Sequence, residues 1–251
     1  MALPILDGDS TISIVGEKVS SKYLEITLDV LKNFGIKIEE LDDGYYIPGN
    51  QKYASSVDLR VQGDWSNAAF WLALGALNQE TQVNNLFFES VQGDREILQI
   101  LMDMGAKVAL RGDNVIVSPK PLHSITLDVK NIPDLVPIVS VLMAKADGIS
   151  ILKNVDRLRI KETDRLQAVM DNLKEMGIKS RYNDNELMIL GGDIKAFNAK
   201  GYNDHRMVMM AAIAASIADG NCTIDEIEAV NKSYPDFFED YAKLGGKVNV
   251  K

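Results

Sequence analysis

One pattern recurs four times along the chain and limits the folds open to it. Each copy is a helix-like stretch that ends in glycine and, two residues later, lysine. Glycine just past the last turn is a typical helix end, because it adopts left-handed backbone angles without steric cost. The four glycines are Gly35, Gly105, Gly177 and Gly245, spaced 70, 72 and 68 residues apart. The spacing predicts one structural unit of about 70 residues, repeated along the chain.

A second marker follows the same spacing. Asp64, Asp134 and Asp204 lie 70 residues apart, and each opens an apolar run. These runs are apolar nearly all round, which is typical of a buried helix. Short β-rich runs and a second, amphipathic helix surround each one, so the unit is predicted to be β-α-β-α-β-β. The period exceeds that of common solenoids, which favours a closed domain with pseudo-threefold symmetry and three buried helices.

The first repeat is short. The position 70 residues before Asp64 falls before Met1, so we expect residues 1–60 to hold one incomplete repeat, the remnant of an N-terminal domain. Residues 61–251 are expected to form a C-terminal domain of three repeats. Their predicted bounds are about 61–125, 126–197 and 198–251. On this interpretation Met1 is an internal start, as in a shortened chain, a fragment or a misplaced start codon.

The composition excludes several classes of protein. With 46% apolar and 25% charged residues among 251, the chain is typical of a globular protein in water. A net charge of −9 argues against a nucleic-acid-binding or anionic-membrane surface. The longest apolar run, residues 207–217, is too short to span a membrane, and the start does not resemble a secretory signal. Because Cys222 is alone, a reducing, cytoplasmic location is expected.

The densest charge lies in R-L-R-I-K-E-T-D-R, residues 157–165, directly before a predicted helix. Thr163 is a candidate N-cap for that helix. Arginine and lysine beside a helix N-terminus suit a phosphate or carboxylate ligand. Glu162, among these cations, would be held ionised or would carry a proton. The alternative, a solvated salt-bridge surface, is about equally compatible with the pattern.

A second junction, G-Y-N-D-H-R, opens the most apolar helix. Asn203 or Asp204 is a candidate N-cap. Because the helix is so apolar, Arg206 at its N-terminus must extend into solvent or pair with another group. His205 is a candidate proton carrier, although a packed, hydrogen-bonded histidine is favoured about two to one. A zinc site is not expected, since the chain has one other histidine and one cysteine.

The third junction, N-I-P-D, places Asp134 near the positive end of a predicted helix. Asn131 is the candidate cap, Pro133 fits the first turn, and Pro137 is expected to kink the helix. In the last repeat Lys232 precedes a helix that begins near Pro235.

The repeat relates these junctions to one another. Equivalent ends of equivalent units are expected to lie on one rim of the predicted closed domain. Several cations and two carboxylates would therefore lie close together on that rim. Such a rim favours a site for polyanionic substrates. The chain contains neither a phosphate-binding P-loop motif nor a dinucleotide-binding glycine motif.

Taken together, the strings R-L-R-I-K-E-T-D-R, Y-N-D-H-R-M, N-K-S-Y-P-D-F-F-E and N-I-P-D-L-V-P closely resemble the 5-enolpyruvylshikimate-3-phosphate (EPSP) synthase family. The resemblance covers essentially the whole chain, in order. It implies an α+β protein in which β-α-β-α-β-β repeats form an inside-out α/β barrel, with a partial second domain of the same kind. It also implies transfer of the enolpyruvyl group of phosphoenolpyruvate to the 5-hydroxyl of shikimate 3-phosphate, with release of phosphate and without a metal or organic cofactor.

The resemblance also assigns roles to single residues. Asp134 would accept a proton from the 5-hydroxyl, and Glu162 would donate one. The expected shikimate 3-phosphate contacts are Ser20, Tyr23, Lys161 and Arg157, which stands where some members carry asparagine. The expected phosphoenolpyruvate contacts are Arg165, Arg206 and Lys232. Asp204 and His205 would support the phosphate end.

Two alternatives stay open. The chain lacks several site segments of the family, so it is either active only with the upstream half of the enzyme or a non-catalytic fragment, folded around residues 61–251, with weak anion binding. A UDP-N-acetylglucosamine enolpyruvyl transferase is the related-enzyme alternative. K-E-T-D-R and N-D-H-R argue against it, and Cys222 is predicted to lie in a strand.

Overall fold

The structure is a computed structural model and describes residues 1–16, 21–54 and 60–249. The chain divides into two compact units. The first comprises Met1–Gln62 and Glu89–Gly93, and the second comprises Gly63–Phe88 and Asp94–Lys251. The division into an incomplete repeat and three repeats stays a prediction.

The first unit is one helix and a small antiparallel sheet. Its elements are β1 (Ser10–Ser13), α1 (Ser21–Asn33), β2 (Glu39–Leu41) and β3 (Gly44–Ile47), with strand order β1-β3-β2. β1 and β2 are mostly exposed, whereas most of β3 is buried. This unit therefore contributes little apolar core.

Three helices form the centre of the second unit. They are α2 (Trp65–Leu77), α4 (Val136–Lys145) and α6 (His205–Ala215). Nearly every residue of each is buried, and the three helices contact one another. This burial confirms the prediction of three buried helices. A helix with an apolar surface all round is stable only when neighbouring elements cover every side of it.

Sheets and amphipathic helices enclose these three helices. The first sheet, in the order β4-β6-β5, comprises β4 (Thr81–Val83), β5 (Lys107–Arg111) and β6 (Asn114–Ser118). The second, in the order β7-β8-β10-β9, comprises β7 (Thr126–Asp128), β8 (Ile149–Lys153), β9 (Lys179–Asn183) and β10 (Glu186–Leu190). A parallel pair comprises β11 (Asn198–Ala199) and β12 (Thr223–Ile224). The outer helices are α3 (Ile97–Asp103), α5 (Arg165–Glu175) and α7 (Phe237–Lys243).

The glycines that mark the repeat end helices as predicted. Gly35, Gly105, Gly177 and Gly245 all have positive φ, between 77° and 94°. Each lies two residues after the last residue of α1, α3, α5 or α7, where it closes the last turn. Cys222, predicted to lie in a strand, comes just before β12 instead.

Three local predictions at helix starts are wrong. Asp164, not Thr163, caps α5, because its carboxylate accepts a hydrogen bond from the amide of Gln167. Before α4 the chain forms a 3-10 turn at Pro133–Leu135, and neither start carries a side-chain cap, so Asn131 does not serve as one. Pro137 is the second residue of α4 rather than an interior one, and no intrahelical N–H is required at that position.

No helix within the described ranges is both long enough and apolar enough to cross a membrane.

Candidate active site

The three central helices begin beside one another. At the start of α6, Arg206 Nη1 donates to Ser66 Oγ of α2 over 2.6 Å. Its Nη2 donates to Asp134 Oδ2, just before α4, over 3.3 Å. Because helix N-termini carry partial positive charge, their convergence favours anionic groups here. We call the residues gathered there the charged cluster: Asp134, Lys161, Glu162, Arg165, Asp204, Arg206 and Lys232.

Arg165 is the centre of the charged cluster. Its side chain is 1% exposed, yet three carboxylates surround the guanidinium. Nε donates to Asp204 over 2.7 Å, Nη1 to Asp134 over 2.8 Å and Nη2 to Glu162 over 2.6 Å. These bonds satisfy a charge that burial would otherwise make very costly.

Three cations contact the carboxylate of Asp134. Besides the contacts with Arg165 and Arg206, its Oδ1 lies 3.2 Å from Lys161 Nζ. Burial on its own raises the pKa of Asp134, but Arg206, Lys161 and Arg165 outweigh it and hold the pKa well below its ordinary value. The carboxylate is therefore ionised at neutral pH, and the same three cations make it a weak base while they contact it.

Glu162 bridges Arg165 and Lys232. Its Oε1 accepts from Lys232 Nζ over 2.9 Å, and its Oε2 accepts from Arg165. Burial raises the pKa of Glu162, but the hydrogen bond from Lys232, a backbone hydrogen bond and the charge of Arg165 lower it to about 2. Glu162 is ionised in this arrangement, so it has no proton to donate while these cations bind it.

Asp204 and His205 sit at the base of the cluster. Asp204 is fully buried, caps α6 by accepting from the amide of Arg206 over 2.9 Å, and binds Arg165. His205 Nδ1 lies 3.7 Å from Asp204 Oδ1 and has no hydrogen-bond partner among the described residues. Burial and the charge of Arg206 lower the pKa of His205 to about 4, so the ring is neutral at pH 7.

The remaining predicted site residues lie elsewhere in the chain. Arg157 is half-buried in the 3-10 turn Asp156–Ile160, four residues before Lys161. Tyr23 is half-buried in α1 of the first unit. Ser20 lies outside the described residues.

Two polar residues at the site have no counterpart in the sequence prediction. Ser66 accepts a hydrogen bond from Arg206 and so joins it to α2, and Asp94 is a buried carboxyl. Burial raises the pKa of Asp94 to about 6, although Ser66 and the charge of Arg206 act to lower it. The only sequence signal for Asp94 is an acidic residue between a glycine and a short helix, which is typical of many loops.

The charged cluster is suited to binding a polyanion. It contains four cations on separate elements, two of them guanidinium groups that can bind carboxylate or phosphate through paired hydrogen bonds. Within the described part of the chain, no group of three or more histidine, cysteine, aspartate or glutamate side chains could hold a metal ion.

Comparison with solved structures gives the fold class. An EPSP synthase of Acinetobacter baumannii matches all of this chain with a TM-score of 0.83 at 23% identity, over 60% of its own length. An enolpyruvyl transferase of Streptomyces tendae matches 98% of this chain with a TM-score of 0.77 at 19% identity, over 57% of its own length. The protein therefore has the predicted fold, an inside-out α/β barrel of β-α-β-α-β-β repeats.

Sequence comparison gives the particular family. The family model described as EPSP synthase (3-phosphoshikimate 1-carboxyvinyltransferase) matches residues 1–241. Curated 3-phosphoshikimate 1-carboxyvinyltransferases of Brachyspira hyodysenteriae and Methanococcus maripaludis are 41% and 40% identical over 98% and 100% of this chain. The chain belongs to the EPSP synthase family. It spans 60% of the length of these two relatives.

Proposed function

We propose that the charged cluster is the phosphoenolpyruvate-binding side of an enolpyruvyl transferase site. The reaction is transfer of the enolpyruvyl group to the 5-hydroxyl of shikimate 3-phosphate with release of phosphate. The names of the curated relatives support this activity, and the chain is proposed to perform it together with the part of those relatives that it does not span. The observation that carries the proposal is the convergence of Lys161, Arg165, Arg206 and Lys232 on Asp134 and Glu162.

The cations would hold the substrates. Phosphoenolpyruvate carries a carboxylate and a phosphate, and Arg165, Arg206 and Lys232 would bind these groups in place of the protein carboxylates they now contact. Lys161 would contact shikimate 3-phosphate, as would Arg157, Ser20 and Tyr23. Fixing both substrates in this way lowers the entropic part of the barrier. The bound cations also neutralise the charge that accumulates on the departing phosphate.

The two carboxylates would divide the proton transfers. Carbon–oxygen bond formation at C2 of phosphoenolpyruvate requires a proton on C3 and removal of the 5-hydroxyl proton. Asp134 would accept the hydroxyl proton once the substrate anions draw these cations away, because its pKa then rises towards the value that a base needs. Loss of phosphate from C2 and of a proton from C3 then restores the double bond of the product.

Glu162 would supply and recover the C3 proton. In the free chain its pKa is about 2 because Lys232 and Arg165 bind it. When the anionic substrate draws these cations away, the pKa of Glu162 rises towards the value that a proton donor needs. Substrate binding and activation of the acid are therefore one event.

Phosphate release tests the proposal directly. The chain is mixed with shikimate 3-phosphate and phosphoenolpyruvate, first alone and then with a second polypeptide supplying the remaining length of a curated relative. We expect release only in the mixture, and loss of it in Arg206→Gln but not in Arg111→Gln, an exposed arginine on β5. No turnover in either case would favour the alternative, a folded fragment with weak anion binding.

In the active mixture, Glu162→Gln tests the assignment of the proton donor. We expect kcat to fall about 10²–10⁴-fold while substrate affinity changes far less, since glutamine keeps the shape but not the proton. Unchanged turnover would remove Glu162 from the chemistry.

A further inference from the structure

The turn that leads into α6 has an unusual backbone. Gly201 and Asp204 close it, since the amide of Asp204 donates to the carbonyl oxygen of Gly201 over 3.0 Å. Its two central residues, Tyr202 and Asn203, both have left-handed backbone angles, with φ of 54° and 48°. Asparagine tolerates such angles, whereas a side chain as bulky as tyrosine rarely adopts them. Contacts outside the turn must therefore hold it in this form.

One side of the turn is fixed to α5. The side chain of Asn172, 1% exposed, donates to the carbonyl oxygen of Lys200 and accepts from the amide of the same residue, each over 3.1 Å. Asp171 Oδ2 accepts from the hydroxyl of Tyr202 over 3.0 Å. Arg165 is the first residue of α5. The helix that holds the turn is thus the helix that carries the buried guanidinium.

The other side of the turn is fixed to the two residues that follow β12. Asp225 Oδ1 accepts from the amide of Gly201 over 2.6 Å, and Glu226 Oε2 accepts from the amide of Asn203 over 2.8 Å. The two segments lie so close that a Cβ added at Gly201 would stand 2.6 Å from the carbonyl oxygen of Asp225. Hydrogen bonds from backbone amides to carboxylates are among the stronger ones, so this side of the turn is also firmly held.

The turn determines where Asp204 lies. This fully buried carboxylate follows the turn directly and accepts from Arg165 Nε over 2.7 Å and from the amide of Arg206 over 2.9 Å. Because hydrogen bonds depend on both distance and angle, a small shift of the turn would displace the start of α6 relative to Arg165.

We propose that residues 200–203 act as a brace, which fixes the start of α6 against the start of α5. Glu226 and Tyr202 are its positioning residues, because each holds the left-handed turn from a different element. The brace keeps Asp204 in place for Arg165. That Arg165 binds phosphoenolpyruvate rests on the proposed function, whereas the brace rests on the contacts of the turn.

The brace predicts that relief of backbone strain replaces a lost contact. Glycine adopts left-handed angles without steric cost, so a chain with Asn203→Gly needs the bond from Glu226 less. Glu226→Ala alone should let the turn leave its left-handed form and displace Asp204. Asn203→Gly in the same chain should largely restore the turn, so the two changes are not additive.

The Arg165 Nε–H signal in an NMR spectrum of the whole chain reports the brace. This proton lies in the 2.7 Å bond to Asp204, and the side chain is 1% exposed, so it should exchange slowly with water. We expect Glu226→Ala to shift the signal and to speed its exchange at least about tenfold, and Asn203→Gly to reverse both effects. Glu228→Ala, which removes an exposed acid two residues further on, should change neither.

Tyr202→Phe is a second, milder variant, because it keeps the ring and removes only the hydroxyl bond to Asp171. It should shift the same signal, so it tests the brace even where Glu226→Ala does not fold. An Arg165 Nε–H signal that both variants leave unchanged overturns the brace. A shift that Asn203→Gly does not reverse overturns the role of backbone strain.

Kinetics in the active mixture separate positioning from a merely structural role. We expect Glu226→Ala to raise KM for phosphoenolpyruvate about tenfold with a smaller change in kcat, and Asn203→Gly to restore KM. An unchanged KM overturns the link between the brace and the substrate. If the NMR signals respond as expected but no mixture releases phosphate, the brace stands and the proposed function fails.

Discussion

At the scale of the residue, Arg165 shows how the site holds its charge. A guanidinium that is 1% exposed would be very unstable alone, and three carboxylates compensate it. Removing one partner of a buried ion pair leaves the other charge unpaired in a medium of low polarity. Asp204, fully buried, would be left in that position.

Arg165→Met should therefore lower the free energy of unfolding by about 3–5 kcal/mol. Lys232→Met is the matched control, because Lys232 belongs to the same cluster but its side chain is 55% exposed. That change should cost no more than about 1 kcal/mol. Urea unfolding of both variants measures the difference, and equal losses would contradict the buried role of Arg165.

His205 predicts a pH dependence of stability. Its pKa is about 4 in the folded protein and about 6.5 in an unfolded chain, so the unfolded state binds a proton first as pH falls. The contribution of His205 is present above about pH 6.5 and is lost as pH falls towards 4.

His205→Gln should flatten this part of the profile, whereas His123→Gln, at an exposed position, should not. Urea titrations at pH 7, 6 and 5 measure the slope. The variant comparison isolates His205 because Asp94, whose pKa is raised, acts in the opposite direction in the same range. A profile that His205→Gln leaves unchanged would show that the pKa of His205 is the same in the folded and unfolded states.

At the scale of the element, α2 has a glycine where most helices favour alanine. A Cβ added at Gly75 would lie 2.8 Å from the carbonyl oxygen of Val117 and 2.9 Å from its Cβ, on β6. The absence of a side chain lets the helix lie close to the strand. Alanine would push α2 away from its sheet, and this cost exceeds the gain in helix propensity.

Gly75→Ala should lower the free energy of unfolding by about 1–3 kcal/mol. The control is Gly8→Ala, because a Cβ there meets nothing within 4 Å, and it should change stability by less than about 0.5 kcal/mol. Thermal and urea unfolding measure both. A more stable Gly75→Ala variant would show that the helix moves freely against β6.

The sequence predicts elements well where one local signal decides them. Apolar surface all round identifies α2, α4 and α6 as buried, and glycine closes the helices that end each repeat, since both effects are local. Helix starts are less predictable, because several polar residues compete for each cap. Asp164 takes the place predicted for Thr163 for this reason.

The site was predictable only in part. Motifs identify Asp134, Glu162, Arg165, Arg206 and Lys232, and the structure brings them together. The pairing within the cluster depends on contacts that no local pattern contains, such as Arg206 with Asp134, which are 72 positions apart. Asp94 has no distinguishing motif, and only its burial reveals it.

At the scale of the whole molecule, the two units differ in how much core they possess. The described part of the first unit contains four buried hydrophobic residues, namely Leu31, Ile36, Tyr45 and Ile47. The second contains the three central helices and most of the buried surface. Regions with few buried apolar contacts open at lower free energy.

Hydrogen exchange should separate the two units. Amides of β1 and β3, bonded to each other, should exchange at least about a hundredfold faster than those of α4 and α6, after correction for intrinsic rates. Mass spectrometry of proteolytic peptides measures both sets in one experiment. Equal protection would show that the first unit is stabilised as strongly as the second.

The equivalent aspartates at the three helix starts illustrate how a repeated scaffold can diverge. Asp64 caps α2, and Asp204 caps α6 while binding Arg165. At the start of α4, the turn that begins at Pro133 leaves the helix without a side-chain cap, and Asp134 contacts three cations instead. A difference in backbone at one of the three helix starts thus turns an acid that would otherwise cap its helix towards the cations, where it is a candidate base.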